Sequence, residues 1–282
     1  MRGLLFADIF MRILFPLCLI AVLPASASLA QVPALSGIAH VAFRVSDVPK
    51  SREFYQKLGF EQAFEFADPG KPPVSYMKVN DHQFIELYGR AASSQPTGLL
   101  HLCYEASDID AVWKQYMKAA LNPSENRKAR AGNLLFILHD PEGQVIEFTQ
   151  YLPGSLHFED RGKHLGEHRI SQHLLSATIA VRDVSVARAF YTDKLGFAPA
   201  AGNDADRLRF TDKSEDQIEL EAVTPAATPR IAFQVASLKR AAERLDRLGL
   251  SVRAGNDAVA VTDPDGAVIL FVAKAYESRG KQ

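Results

Sequence analysis

The chain has 282 residues, 47% of them hydrophobic and 23% charged, which is the range of ordinary globular proteins and enough for one large core or two smaller ones. Such a composition argues against disorder. With 32 basic and 33 acidic residues the net charge is -1, so no basic field is available to hold a polyanion, and the expected partner is a small-molecule substrate rather than nucleic acid.

In chain order, residues 1–30 stand apart. Arg2 and Arg12 precede an apolar run from Ile13 to Leu23, followed by Pro24, Ala25, Ser26, Ala27, Ser28, Leu29 and Ala30. This is the three-part form of a secretory signal peptide, with Ala25-Ser26-Ala27 or Ser28-Leu29-Ala30 as the cleavage site and a mature start near Ser28 or Gln31. Met11-Arg12 is an alternative start. The apolar run is too short to span a bilayer comfortably, so the expectation is a periplasmic or secreted protein with no stable membrane association after cleavage. Cleavage removes Cys18 and leaves Cys103 as the sole thiol. No intrachain disulfide is then expected, and Cys103 reads as a small buried hydrophobe rather than a nucleophile.

The next segments follow a fixed order. A short apolar strand, Ile38 to Val45, leads into an amphipathic helix from about Pro49 to Leu58 with Gly59 as its cap. Strands follow near Glu61 to Phe66, Val74 to Val79 and Gln83 to Tyr88, with Asp68-Pro69-Gly70 and Asn80-Asp81 as turns. The pattern then repeats with a strand from Leu99 to Glu105, a helix from Ile109 to Ala120 and strands up to Ile146-Glu147-Phe148. Residues 152–173 are rich in charge and contain His157, His164 and His168 with Gly154, Gly162 and Gly166. They read as a solvated connector, because the histidine spacing matches no ordered element.

Beyond the connector the chain duplicates itself. Asp47 to Tyr55 returns 136 residues later as Asp183 to Tyr191, Leu58-Gly59-Phe60 returns 137 residues later as Leu195-Gly196-Phe197, and Asp140-Pro141-Glu142-Gly143 returns as Asp263-Pro264-Asp265-Gly266. Each half divides again into two strand-helix-strands modules.

Strand alternation selects the chemistry. In His40 to Val45 the odd positions are large hydrophobes that should pack under the helix, leaving His40, Ala42 and Arg44 on the other face. Glu86 between Ile85 and Leu87, His101 with Cys103, and Glu147 between Ile146 and Phe148 obey the same parity. Two imidazoles and two carboxylates on one concave face suit one first-row divalent ion (Ni, Zn, Co, Mn or Fe), with coordination positions left for water or substrate. Arg44, on the same face, is the candidate to hold a substrate carboxylate or phosphate. Tyr88 and Phe84 are candidate aromatic walls, whereas Tyr104 has the wrong parity. In the second half the corresponding positions are Ser176, Glu219, Arg230 and Leu270, which predicts no first-row metal there.

The opening strand with His40, the Phe54-Tyr55 and Leu58-Gly59-Phe60 stretch, Ile85-Glu86-Leu87, and Asp140-Pro141-Glu142-Gly143 with Ile146-Glu147-Phe148 resemble the vicinal oxygen chelate superfamily, which includes glyoxalase I, bleomycin resistance proteins and extradiol dioxygenases. The resemblance covers essentially the whole mature chain. It implies an α+β fold of four βαβββ modules in two tandem glyoxalase-like domains, with mixed curved sheets forming cups. Residues 31–152 would form a metal-binding domain, 153–174 the linker, and 175–275 a degenerate domain serving as scaffold, lid or dimer surface.

The His, Glu, His, Glu order is similar to that of glyoxalase I, a metal-dependent isomerising lyase acting through an enediolate. By that likeness His40, Glu86, His101 and Glu147 would be ligands, Glu147 the base with Glu86 as its partner, and Arg44 a substrate-binding residue. Export argues against a glutathione conjugate as substrate. An extradiol-type dioxygenase using His40, His101 and Glu147 is the alternative, opposed by the fourth ligand and by the usual C-terminal placement of the metal in such enzymes. A non-catalytic small-molecule binding protein is the third reading.

Overall fold

The computed structural model describes residues 35–200, 205–210, 214–224 and 228–273. The expected signal segment, residues 1–30, lies outside the described residues. Among those described, no helix is long and apolar enough to cross a membrane.

The first half runs β1 (Leu35–Val45), α1 (Val48–Lys57), β2 (Glu61–Phe66), β3 (Val74–Lys78), β4 (Phe84–Gly89), β5 (Gly98–Ala106), α2 (Ile109–Lys118), β6 (Arg127–Lys128), β7 (Leu134–His139) and β8 (Val145–Gln150). A short helix α3 (Leu156–Glu159) follows. The second half runs β9 (Leu174–Val181), α4 (Val184–Ala189) with one π turn at Phe190–Lys194, β10 (Ala198–Pro199), β11 (Arg207–Arg209), β12 (Gln217–Ala222), β13 (Arg230–Val235), α5 (Leu238–Arg247), β14 (Arg253–Ala254), β15 (Ala258–Thr262) and β16 (Val268–Ala273). Each half forms one eight-stranded mixed sheet, ordered β2-β3-β4-β1-β5-β8-β7-β6 and β10-β11-β12-β9-β13-β16-β15-β14. The architecture is therefore two tandem domains, each built on one open mixed sheet, as the sequence led us to expect.

The helices start where short polar side chains can cap them. Asp47, Asp108 and Ser237 accept hydrogen bonds from the backbone N–H three residues on. Helix α1 ends on Gly59, at φ 90°, with Gly59 N–H bonded to Gln56 O and Phe60 N–H to Tyr55 O. The apolar helix faces and the odd positions of β1 (Val41, Phe43, Val45) join a core that continues into the second half. Phe60 lies 5.0 Å from Phe233, and Tyr104 packs 5.3 Å from both Phe197 and Phe210. Asp216 joins the halves again, accepting from Ile38 N and Gln83 Nε2 and pairing with His173 at 2.6 Å. With one face of the first sheet committed to this core, the other face is left for the site.

The connector is solvated only in part, since Ser155, His157, Asp160 and Ser171 are buried while residues such as Arg161, Lys163, Glu167 and His168 are exposed. Lys78, fully buried on β3, binds Asp160 Oδ2 at 2.8 Å and the Asp160 carbonyl, while Asp81 lies 2.9 Å away. A charge so buried is tolerated only with such partners, and they fix the connector against the first sheet. The connector histidines go separate ways: His164 bonds Asp160, and His157 is buried at 2% exposure on α3.

Candidate metal centre

The four central strands of the first sheet, β4, β1, β5 and β8, set the site by register. One cross-strand row holds Phe84, His40, Cys103 and Glu147, and the next holds Glu86, Ala42, His101 and Val145. Residues directly opposite share a face, so all four predicted ligands project to the same side. They alternate with small neighbours. Ala42 stands between Glu86 and His101, and Cys103 stands between His40 and Glu147, which leaves room for the longer side chains to lean together.

They meet. His40 Nε2 is 3.1 Å from His101 Nε2 and 3.8 Å from Glu147 Oε1. His101 Nε2 is 3.8 Å from Glu147 Oε2, and His40 Nδ1 is 3.2 Å from Glu86 Oε1. That last approach lacks hydrogen-bond direction, so buried His40 Nδ1 has no hydrogen-bond partner. Donor atoms bonded to one ion at about 2.1 Å lie about 3 Å apart when adjacent and about 4 Å apart when opposite, and the contacts of His40 Nε2 with His101 and Glu147 fall in that range. Glu86 approaches the other ring nitrogen of His40, and one donor atom each from His40, Glu86 and His101 lies within 4.8 Å of the others. Cys103 adds a soft donor that sequence reasoning set aside: its Sγ is 3.7 Å from Glu147 Oε1, and it forms a compact group with His40 and Glu147.

Burial dominates the electrostatics. It holds both imidazoles neutral, His40 well below its ordinary range and His101 at about 4. Burial, reinforced by the nearby Glu147, pushes the Glu86 carboxyl well up, although Tyr88 Oη donates to Glu86 Oε2 at 2.9 Å. The Glu147 carboxyl is raised to about 7, also by burial, against the opposing influence of the Cys103 thiol and the Arg127 charge. Neutral imidazoles are in metal-binding form, and a cation bound beside a buried carboxyl favours its ionised form. The donor set therefore fits a divalent first-row ion.

His40, Glu86 and Glu147 open into a cavity of about 230 Å³, lined also by Tyr76, Tyr88, Arg127, Arg130, Asn133, Leu135 and His157; His101 is not among its lining residues. Arg130 stacks 4.0 Å over the Phe66 ring and bonds Asp68 Oδ1 at 2.6 Å. Arg44 is not among the lining residues. It lies at the end of β1, past the irregularity where the partner of Ala42 is His101 and that of Phe43 is Leu99, and its Nη1 reaches Pro96 O at 3.4 Å. The cations at the cup are instead Arg127 and Arg130, brought there by β6 and the turn after it. Phe84 backs the wall from behind, 4.9 Å from His157, and Tyr104 lies in the core on the opposite face. A larger hollow of about 530 Å³ lies at the junction of the halves, where His82 is paired with Glu105 and His173 with Asp216.

In the second sheet the same register places Ser176 opposite Gln217, with Glu219 two residues on, and Ala232 opposite Leu270. Glu219 accepts from Ser176 and Thr178 hydroxyls and pairs with Arg207 at 3.5 Å. Leu270 packs with Leu175, Ala232 and Val272.

Comparison with known proteins agrees with this architecture. The model of the family described as Glyoxalase/Bleomycin resistance protein/Dioxygenase superfamily matches residues 37–148 and 172–271. Among solved structures, the Mn(II)-bound glyoxalase from Novosphingobium aromaticivorans superposes with a TM-score of 0.66 at 17% identity, over 86% of this chain and 83% of that one. A variant of homoprotocatechuate 2,3-dioxygenase from B. fuscum in complex with HPCA gives 0.65 at 17%, over 88% and 73%. The 2,3-dioxygenase LapB from Pseudomonas sp. KL28 gives 0.65 at 14%, over 87% and 94%. No curated protein matches the chain.

Proposed function

Because the chain belongs to the Glyoxalase/Bleomycin resistance protein/Dioxygenase superfamily, we propose that it is an exported, metal-dependent enzyme of glyoxalase type, which moves a proton between adjacent carbons of a small oxygenated substrate through an enediolate. The observation that carries this reading is the clustering of His40, Glu86, His101 and Glu147 on one face of the sheet, with His40, Glu86 and Glu147 lining a polar cavity.

A divalent ion held by these four side chains would act as a Lewis acid toward a substrate carbonyl or hydroxyl oxygen. Glu147 takes the proton from carbon and returns it to the neighbouring carbon. Glu86 is the partner carboxylate, oriented by the Tyr88 hydroxyl. Arg127 and Arg130 bind an anionic group of the substrate at the cup, the role the sequence assigned to Arg44. Tyr76, Tyr88 and Leu135 narrow the cavity and exclude water. A volume of about 230 Å³ is below the usual range for drug-sized ligands, which supports a compact substrate.

Elemental analysis of the purified native protein tests this, followed by titration of the metal into the four ligand-to-alanine variants and turnover assays with small 2-oxoaldehydes and their thiol adducts. One metal per chain, lost in the variants, with isomerisation of such substrates is expected. Native protein that carries no metal and takes none up would replace this reading with a non-catalytic binding protein.

One observation favours a second reading. His40 Nε2 and His101 Nε2 touch each other and each lies 3.8 Å from a Glu147 oxygen, whereas the Glu86 contact is to the opposite nitrogen of His40. A two-histidine, one-carboxylate set suits Fe(II) oxygen chemistry, so ring-cleaving dioxygenation is tested by oxygen uptake with catechols under Fe(II).

A further inference from the structure

We infer that His157 is a substrate-contacting residue of the cup, whose imidazole hydrogen-bonds an uncharged hydroxyl or carbonyl oxygen of the molecule bound beside the metal ligands. This rests on the cup being the active site, and it adds a residue from the connector to a site otherwise built from the sheet.

His157 sits in an aromatic box. Its ring is stacked on Tyr151, 4.3 Å between centroids and 13° from parallel. Phe64, Phe84 and Tyr76 meet it edge to face at 5.0, 4.9 and 5.6 Å. A phenylalanine would make the same contacts with no polar atoms to satisfy. Yet the residue is an imidazole, 2% exposed, and neither Nδ1 nor Nε2 has a hydrogen-bond partner. Leaving a buried polar group unmet costs about 1–3 kcal/mol, so a histidine kept only for packing would be expected to give a nitrogen to a nearby carbonyl. The side chain instead lines the cavity it shares with His40, Glu86 and Glu147.

Two further observations define the partner. His157 is absent from the compact groups of donor atoms formed by His40 with Glu86 and His101 and by His40 with Cys103 and Glu147. Its place is on the cavity wall beside His40, Glu86 and Glu147. Burial pulls its pKa to about 3, so it offers one N–H and one bare nitrogen, which suits a hydroxyl or carbonyl better than a carboxylate. The position is fixed from both sides. Ser155 caps α3, Leu156 N–H binds Ala131 O at 2.7 Å, and Asp160 is held by buried Lys78.

The test is calorimetric. Mn(II) is titrated into wild type, His157→Phe and His157→Gln, and acetohydroxamate, a small molecule with adjacent hydroxyl and carbonyl oxygens, is then titrated into each Mn(II)-loaded protein. His157→Phe is expected to leave Mn(II) affinity within about twofold and to weaken acetohydroxamate about tenfold, the worth of one hydrogen bond, with part of the loss restored in His157→Gln. His157→Leu replaces His157→Phe if the larger ring prevents folding. Unchanged acetohydroxamate affinity in a folded His157→Phe or His157→Leu protein would overturn the assignment while leaving the metal centre standing. A loss of Mn(II) affinity of about 100-fold would overturn it in favour of a fifth ligand. Wild type that takes up no Mn(II) would remove the metal centre and this inference together.

Discussion

His40 and His101 lie on antiparallel partner strands two residues out of register, and their Nε2 atoms still meet at 3.1 Å. The residues directly opposite them, Cys103 and Ala42, are small, so the diagonal is clear. Both imidazoles are held neutral by burial, and neither repels the other or an incoming cation.

Replacing any one of His40, His101, Glu86 or Glu147 by alanine is expected to weaken divalent-metal binding by more than about 100-fold, beyond the 10- to 100-fold usual for outer partners. Tyr88→Phe, which frees the Glu86 carboxylate from its hydroxyl, should fall within that smaller range. Metal titration of the purified variants measures both.

The metal-free protein should show opposing pH trends. Glu147 titrates at about 7 when folded against an ordinary 4.5, so its contribution to stability is full below pH 4.5 and lost as pH rises to 7. His101, at about 4, and His157, at about 3, contribute fully above pH 6.5 and lose that contribution as pH falls toward those values. In urea unfolding with chelator present, the stability of wild type relative to Glu147→Gln should drop between pH 4.5 and 7 by at most about 3 kcal/mol. Mn(II) affinity should rise over the same interval, because the ion displaces the Glu147 proton.

Arg127→Ala and Arg130→Ala should raise KM for an anionic substrate by about tenfold each, with kcat less affected, since both line the cavity. Arg44→Ala should leave both constants nearly unchanged, because its guanidinium points to Pro96 O. Steady-state kinetics on the three variants separates the two placements.

Asp160→Ala removes one partner of fully buried Lys78 and should destabilise the protein by about 3 kcal/mol. The same variant should loosen α3, detected as faster amide exchange at residues 156–160.

Gly59→Ala should destabilise the protein by more than the roughly 1 kcal/mol lost at an ordinary positive-φ position. A Cβ there would come within 2.5 Å of Arg169 Cα, where the connector crosses the end of α1. Thermal unfolding is the measurement.

Period-two alternation and duplicated motifs were sufficient, read from the sequence alone, to determine the order of strands and helices, the duplication of the chain into two halves and the face on which His40, Glu86, His101 and Glu147 project, while the tandem-domain fold was what the family resemblance implied. Those features are local: parity follows from the pleat, and a repeated motif repeats its backbone. Tertiary structure decided what local pattern cannot encode. Whether an arginine reaches the cup depends on strand ends, bulges and turns, which put Arg127 and Arg130 at the site and send Arg44 away. Whether a polar connector is solvated depends on a distant buried lysine, and Lys78 draws Asp160, and with it His157, onto the sheet. Contacts between residues about eighty positions apart are made only when the chain has folded, and a charge run read along the sequence carries no trace of its partner.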